Sequence, residues 1–285
     1  MASIPKRVSE RLSKGSGRYK RVLKAAKDRD VNESDTVAII TDMLAGVFGF
    51  EKYSEITSEY EIRGTYCDLA VLIDGSVKYL VEVKAIGLDL KETHIRQAVN
   101  YGAQHGIQWV VLTNGAEWEI YRIKFERPIG HSLLCRFNFL ELSPRRKEDQ
   151  EMLFLLCKEG LTRAVIEEYA EHVKSVNKFV ISAVLQSEPA LNLVRRELKR
   201  VSPGIKVGTD EIQSIIVSDV LKRDVLEGKS AEKAKVRVKR AAGRRLAKRK
   251  PKPKPKPSQA EPTSAEASSG EIASGPSTPN EPTEY

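Results

Sequence analysis

Long hydrophobic runs are missing from this sequence. No stretch approaches the roughly eighteen consecutive apolar residues that a membrane-spanning helix needs. The first residues, MASIPKRVSERLSKG, also lack the apolar segment of a secretory signal peptide. We therefore expect a cytoplasmic protein without a membrane partner.

Cysteine and histidine are scarce as well. The cysteines are far apart and form no CxxC pair, which argues against a disulfide framework and against a thiolate zinc site. They are Cys67, Cys135 and Cys157. The four histidines show no metal-ligand spacing and are predicted to be structural or surface residues: His94, His105, His131 and His172. We expect reduced, mostly buried thiols.

An ATP-binding loop is also absent. Gly228, Lys229 and Ser230 imitate the last residues of a phosphate-binding loop. However, Arg223 stands where the first glycine of that loop is required, and no strand is predicted before it. The sequence therefore predicts a protein without an ATPase motor.

Positive charge exceeds negative charge, giving a net charge of +9, but the excess is local. Residues 229–257 contain 14 Lys or Arg and one acid, whereas residues 258–285 contain five Glu and no base. Residues 1–228 are therefore nearly neutral. Any affinity for DNA must come from a local patch or from the Lys-rich segment, which we interpret as a flexible tail that contacts DNA.

Changes of pattern divide the chain into four regions. The end of the chain is rich in proline and charge and has few large apolar residues, so it is predicted to be disordered. The regions are a basic N-terminal arm or peripheral helix at 1–30, an α/β domain at 31–145, a helical region at 146–240 and a disordered tail at 241–285.

The α/β domain alternates helical and strand patterns, which predicts a mixed sheet flanked by helices. Asn32 is a plausible N-cap for a helix that ends near Phe48, and a second helix is predicted at Leu90–Ala103. The predicted strands are centred on residues 58–63, 67–73, 77–84, 109–113 and 118–123.

Two neighbouring strands carry the residues with chemical potential. Because side chains alternate along a strand, Glu82 and Lys84 are expected on one face of the sheet. Val77, Tyr79, Val81 and Val83 would form the apolar opposite face, which matches Cys67, Leu69, Val71 and Ile73 on the preceding strand. Asp68 belongs to the other side of that preceding strand.

The turn between these strands decides whether Asp68 joins Glu82. A two-residue loop, Asp74-Gly75, would pair Asp68 with Val81 and leave Glu82 on the opposite face. A three-residue loop, Asp74-Gly75-Ser76, makes Asp68 and Glu82 neighbours on one face. We favour the three-residue loop, since it brings two carboxylates and an ammonium together.

Two adjacent carboxylates repel each other unless a cation lies between them, and oxygen ligands suit Mg²⁺ or Mn²⁺. The alternative is that Glu82 and Lys84 are solvated residues of an ordinary amphipathic strand. The helix at 90–103 favours the site, because Gln97 and Tyr101 lie one turn apart and can project toward one pocket, which His94 would border.

These segments resemble a known family. CDLAVLIDGSVKYLVEVKA, IRQAVNYGAQHGIQWVVLTNG and WEIYRI are similar to the N-terminal nuclease domain of type I restriction enzyme R subunits, a branch of the PD-(D/E)xK nuclease superfamily. The resemblance covers residues 31–123 and implies a restriction-endonuclease-like fold. Asp68, Glu82 and Lys84 match the Asp and Glu-x-Lys pattern, and Gln97 and Tyr101 match the Gln-x-x-x-Tyr signature. Cys67 stands where the PD-(D/E)xK pattern has its proline.

The resemblance also implies roles. Asp68, Glu82 and the Val83 carbonyl would hold the metal ion, and Lys84 would orient the attacking water or neutralise developing charge. Gln97 and Tyr101 would position the DNA backbone or the lysine. The acidic residue of the first helix, either Glu33 or Asp35, would complete the metal shell or bind a second ion; Glu33 matches the family pattern.

The leading hypothesis is therefore a Mg²⁺-dependent DNA endonuclease of restriction type that works without an ATPase motor. The alternative is a catalytically silent nuclease-fold module that binds DNA or assembles with a restriction motor or specificity subunit. In either case DNA is the expected partner, and a homo-oligomer is compatible with the sequence.

Overall fold

A six-stranded mixed sheet is the main β-structure of the computed structural model, which describes residues 3–62 and 65–249. The strands are β1 (Ile56–Ile62), β2 (Thr65–Ile73), β3 (Ser76–Val83), β4 (Trp109–Thr113), β5 (Glu117–Lys124) and β6 (Gly130–Asn138). Their order in the sheet follows the chain. Among the described strands the pair β3–β4 is parallel and the other neighbouring pairs are antiparallel, and the helix between β3 and β4 supplies the crossover that a parallel pair requires.

Ten α-helices accompany the sheet in the described part of the chain. They are α1 (Lys6–Asp28), α2 (Glu33–Gly46), α3 (Arg96–Gln104), α4 (Lys147–Phe154), α5 (Lys158–Thr162), α6 (Val165–Ser175), α7 (Lys178–Leu185), α8 (Glu188–Val201), α9 (Thr209–Ile215) and α10 (Gly228–Arg249). A 3₁₀ turn (Glu92–Ile95) leads into α3, and a π-helical turn (Ile216–Val220) follows α9. The predicted α/β fold class is confirmed.

Helix α2 begins where the sequence predicted. The side chain of Asn32 accepts a hydrogen bond from the backbone N–H of Asp35 at 2.9 Å, so it satisfies one of the unpaired donors at the helix start. Helix α8 follows Ser187 and carries proline in its first turn. The Asn32 cap fixes the position of Glu33, the first residue of α2.

The two faces of the sheet are covered differently. Leu69, Val81 and Trp118 lie in a main core that also includes residues of α1, α2, α4, α5 and α6. Ala70, Leu80 and their neighbours lie in a smaller core, hereafter the second core, which packs against α3. Helices α8 and α9 form a third, small cluster around Leu191, Ile212 and Ile216.

The main core crosses two of the boundaries expected from the sequence. Helix α1, expected as a basic arm or peripheral helix, buries Leu12 and Leu23 completely. Residues such as Phe154 and Val165, expected in a separate helical region, are buried in the same core. The physical reason is that the sheet's main face needs helices from both ends of the chain to exclude water from its apolar side chains.

The Lys-rich end also differs from expectation near residue 241. The chain divides into two compact units, Met1–Val238 and Lys239–Tyr285. In the second unit, residues 239–249 continue α10 as a helix rather than as an irregular tail. The rest of the predicted tail, 250–285, lies outside the described residues. No helix among the described residues is both long and apolar enough to cross a membrane.

The hairpin β2–β3 corrects the predicted turn. Ile73 pairs with Ser76, so the loop has two residues, Asp74 and Gly75, and both have positive φ values of 52° and 72°. The three-residue loop expected from the sequence is therefore wrong. Glycine at the second position adopts this left-handed conformation without strain.

A β-bulge in β3 has the effect that the longer loop was expected to have. Leu72 pairs with Val77, but the next residue, Val71, pairs with Tyr79, so Lys78 is the extra residue. Beyond the bulge the register is the one that a three-residue loop would have produced. Val77 consequently packs against the second core and not, as the simple alternation predicted, beside Tyr79 in the main core.

Candidate active site

The candidate site lies where β2 and β3 stop pairing. The pairing of β2 with β3 ends with Leu69 opposite Val81, and its continuation places Asp68 opposite Glu82. The side chain of Asp68 turns toward β3, and its Oδ2 accepts a hydrogen bond from the backbone N–H of Val83 at 2.7 Å. This bond ties the aspartate to the strand that carries the glutamate.

Lys84 follows directly after β3. Its backbone N–H donates to the carbonyl oxygen of Thr113 on β4 at 2.8 Å, which fixes the chain at this point. The Nζ atom of Lys84 lies 3.0 Å from Oε1 of Glu82 and 3.3 Å from Oε1 of Glu33. The side chains of Glu82 and Lys84 are 12% and 16% exposed, so water screens this pair little.

Helix α2 contributes Glu33 rather than Asp35. Glu33 is the first helical residue and reaches Lys84. Asp35 is exposed, and its backbone N–H is bound by the Asn32 cap. The contact with Lys84 favours Glu33 over Asp35 as the helix acid of the candidate site.

Burial raises the pKa values of both strand carboxyl groups. Burial and the nearby carboxylate of Asp68 raise the pKa of Glu82 to about 7, although Lys84 opposes this shift. Burial also raises the pKa of Asp68, against the effect of its bond to Val83. Burial lowers the pKa of Lys84, but the carboxylates of Glu82, Asp68 and Glu33 outweigh burial and raise it.

The balance of charge suits a cation. Three carboxylates face one ammonium group, so the cluster carries excess negative charge when all four groups are ionised. Within residues 3–62 and 65–249, no group of three or more His, Cys, Asp or Glu side chains is arranged to hold a metal ion. Asp68, Glu82 and the Val83 carbonyl offer oxygen donors of the kind that a hard cation prefers, and the carboxylate of Glu33 lies beside them on Lys84.

Helix α3 places the remaining predicted site residues in different environments. Tyr101 is 2% exposed and belongs to the second core, which also contains Cys67, the residue before Asp68. Gln97, one turn earlier, is exposed. The Nδ1 atom of His94 accepts a hydrogen bond from the backbone N–H of Lys91 at 3.3 Å, so His94 caps the 3₁₀ turn that leads into α3.

The structure also shows a buried polar cluster that was not predicted from the sequence. Glu119 is 1% exposed, accepts a hydrogen bond from the hydroxyl group of Tyr121 and pairs with the guanidinium group of Arg136. Burial and this bond raise the pKa of Tyr121. The register aligns Glu82 with Leu112, Leu112 with Glu119 and Glu119 with Arg136, so the cluster shares a row of the sheet with the site.

Only part of this cluster could be predicted from the sequence. Glu119 and Tyr121 are two residues apart on one strand and therefore share a face. Arg136 lies on β6, which was not among the predicted strands, and its pairing with Glu119 depends on the register of β5 and β6. All three cysteines are buried and free, as predicted.

One family model matches the part of the chain that carries this geometry. Residues 44–133 match the type I restriction enzyme R protein N terminus (HSDR_N). The resemblance inferred from the sequence is thereby confirmed. The HSDR_N match includes Asp68, Glu82, Lys84 and the α3 residues, whereas Glu33 lies before it. The family match indicates a role related to restriction nucleases.

The match to HSDR_N covers about a third of the chain, and α1, most of α2 and the helices after β6 lie outside it. No match was found among curated proteins or among solved structures. The role of these additional helices must therefore be inferred from their own residues.

Proposed function

We propose that this protein is a DNA endonuclease of restriction type that depends on Mg²⁺ or Mn²⁺ and acts without an ATPase motor of its own. The observation that supports it best is the convergence of Asp68, Glu82 and Lys84 at the end of β3, where Lys84 Nζ lies 3.0 Å from Glu82. The match to HSDR_N over these residues supports the same proposal.

Each residue has a distinct task in this proposal. Asp68, Glu82 and the carbonyl of Val83 would hold the divalent ion, which would supply Lewis-acid activation of the phosphodiester and of a water molecule. Lys84 donates hydrogen bonds to the attacking water or to a phosphate oxygen and compensates the negative charge that develops there. Glu33 holds the ammonium group of Lys84 from the side of α2.

The α3 residues have a supporting task. Gln97 is exposed, and in this proposal it contacts the DNA backbone, as the family signature implies. Tyr101 belongs to the same core as Cys67 and would help to fix the position of β2 near Asp68. His94 would border the same pocket from the start of α3.

A cleavage assay with plasmid and linear DNA, with and without Mg²⁺ or Mn²⁺, tests the proposal. We expect Lys84→Ala to reduce cleavage by about 10²-fold to 10³-fold, because it removes a charge that acts on the transition state. Calorimetry should show that this variant still binds the metal ion, whereas Glu82→Ala should lose both binding and cleavage. Lys124→Ala, which changes an exposed lysine at the end of β5, is the matched control.

The assay has a clear negative outcome. If the wild-type protein cuts no DNA with any divalent metal ion, and calorimetry detects no ion binding that depends on Glu82, the nuclease proposal is rejected.

A second candidate is a silent nuclease-fold module that assembles with a restriction motor or specificity subunit. The observation that favours it is a set of exposed apolar side chains on α7 and α8: Ile181, Val184, Leu193, Leu198 and Val201. Exposed apolar residues in such number often mark a protein interface. DNA binding without cleavage, together with a stable complex with a purified motor or specificity subunit, would support this candidate.

A further inference from the structure

Helix α1 has a basic outer side. Lys14, Arg18, Arg21 and Lys24 are exposed and follow one another at spacings of three or four residues, so they form one stripe along the helix. The ion pairs of this helix involve other cations, namely Lys6, Arg7 and Arg11. Among the described residues, none of the four stripe residues forms an ion pair with a carboxylate.

The inner side of α1 holds this stripe rigidly. Val8, Leu12, Leu23 and Ala26 are buried in the main core. Arg11 anchors the first half of the helix, because its guanidinium group donates to Glu159 at 2.8 and 2.6 Å and to the carbonyl oxygens that follow α2. The cations therefore project from a fixed support and not from a flexible arm.

The dimensions of the stripe match a nucleic acid backbone. Lys14 and Lys24 are ten residues apart, which corresponds to roughly 15 Å along a helix axis. A DNA strand places one phosphate about every 3.4 Å along the duplex axis, so the stripe extends over about four phosphates. Arginine and lysine bind such phosphates through charge-assisted hydrogen bonds.

The C-terminal end of α1 lies beside the candidate active site. Leu23 packs against Gly115 in the turn after β4, where a Cβ atom would lie 2.7 Å from the leucine. The carboxylate of Asp30, just after the helix, packs equally closely against Gly87, three residues beyond Lys84. Glu33 then reaches Lys84 itself. The stripe thus leads toward the end of β3.

We propose that the α1 stripe binds the phosphate backbone of duplex DNA and guides the duplex to Asp68, Glu82 and Lys84. The inference rests on the proposed nuclease function and adds a binding surface outside the residues that match HSDR_N. It also locates DNA affinity in a part of the chain whose overall charge is nearly neutral.

The proposal is tested by measuring the affinity of the whole chain for a fluorescent DNA duplex of about 20 base pairs. Fluorescence anisotropy in EDTA gives this affinity over a series of NaCl concentrations. The α1 variant carries Lys14→Gln, Arg18→Gln and Arg21→Gln. Because each lost phosphate contact lowers the slope of log affinity against log salt by about one, we expect a slope shallower by two to three and at least about tenfold weaker binding near 0.1 M salt.

The control removes the same charge elsewhere. Lys199→Gln, Lys206→Gln and Lys222→Gln change exposed lysines on or near α8 and α9. This variant should keep the wild-type affinity and slope, and thermal melts should show that both variants are folded. An unchanged affinity and slope in the α1 variant would overturn the proposal. An equal loss in the control, or tighter binding of the wild type to phosphatidylserine vesicles than to the duplex, would also overturn it.

The binding assay and the cleavage assay can reject the two proposals independently of each other. If the wild type binds DNA through the stripe but cuts none with any metal ion, the nuclease proposal fails and the binding surface remains. If the wild type cuts DNA while the α1 variant binds as tightly as the wild type, the nuclease proposal remains and the stripe is rejected.

Discussion

The two faces of the sheet differ in what they bury. On the main face, Leu69 and Val81 are completely buried in a core that includes apolar side chains from five helices. On the second face, which α3 covers, the same two strands carry Asp68 and Glu82, and β5 carries the buried Glu119. Apolar burial and candidate chemistry therefore lie on opposite sides of the same strands.

This difference separates stability from activity at neighbouring positions. Burial of apolar groups on the main face stabilises the fold. The crowded carboxylates of the second face oppose folding at neutral pH, because burial disfavours their charged forms. Substitutions on opposite faces of these two strands should thus have opposite effects on the free energy of unfolding.

Leu69→Ala should have the largest effect on stability. The side chain is completely buried in the main core, so its removal loses apolar burial and leaves a cavity. We expect a loss of about 2 to 5 kcal/mol in the free energy of unfolding, measured by urea denaturation. Metal-dependent cleavage per folded molecule should change little. If cleavage falls by more than the fraction of unfolded protein accounts for, the two faces of the sheet are coupled.

Glu82→Gln should stabilise the metal-free protein at pH 8. The folded protein raises the pKa of Glu82 from 4.5 to about 7, so the contribution of this group to stability is present below pH 4.5 and is lost as the pH rises through 7. Removing the charge should increase the free energy of unfolding by at most about 3 kcal/mol while abolishing cleavage. Denaturation in EDTA at pH 5 and pH 8 measures this effect.

Glu159 provides a control of opposite sign. Burial alone would raise the pKa of Glu159, but hydrogen bonds from Arg11 outweigh burial and lower it. Its contribution to stability is therefore present above its unfolded pKa and is lost as the pH falls through the folded value. Glu159→Gln should destabilise the protein at pH 8. If Glu82→Gln also destabilises the metal-free protein at that pH, crowding of carboxylates is not what distinguishes the second face.

The sequence predicted much of the sheet and of the candidate site. The Asn32 cap, the five predicted strands and the pattern of Asp68, Glu82 and Lys84 all depend on local rules of capping and alternation. The packing of α1 and the cluster of Glu119 with Arg136 depend on contacts between distant residues. Those contacts require a register and a helix arrangement that no local pattern specifies.

The hairpin shows how a correct expectation can rest on a wrong reason. The same-face arrangement of Asp68 and Glu82 was attributed to a three-residue loop, yet the loop has two residues and the bulge at Lys78 shifts the register. A bulge adds one residue to one strand and has no distinctive sequence at this position. Turn chemistry alone therefore could not decide the face on which Glu82 lies.

Deletion of Lys78 should have the smallest effect and tests this explanation. Val71 already pairs with Tyr79 and Leu72 with Val77, so removing the extra residue makes the ladder regular and keeps Glu82 opposite Asp68. We expect stability to change by less than about 1 kcal/mol and cleavage to remain, in contrast to Leu69→Ala and Glu82→Gln. Cleavage assays and urea denaturation measure both quantities.

Insertion of one alanine between Leu80 and Val81 is the matched control, because it should turn Glu82 to the main face and abolish cleavage. If the deletion abolishes cleavage in a folded protein while metal binding is lost, the bulge does more than set the register, and the site depends on the local twist that Lys78 introduces into β3.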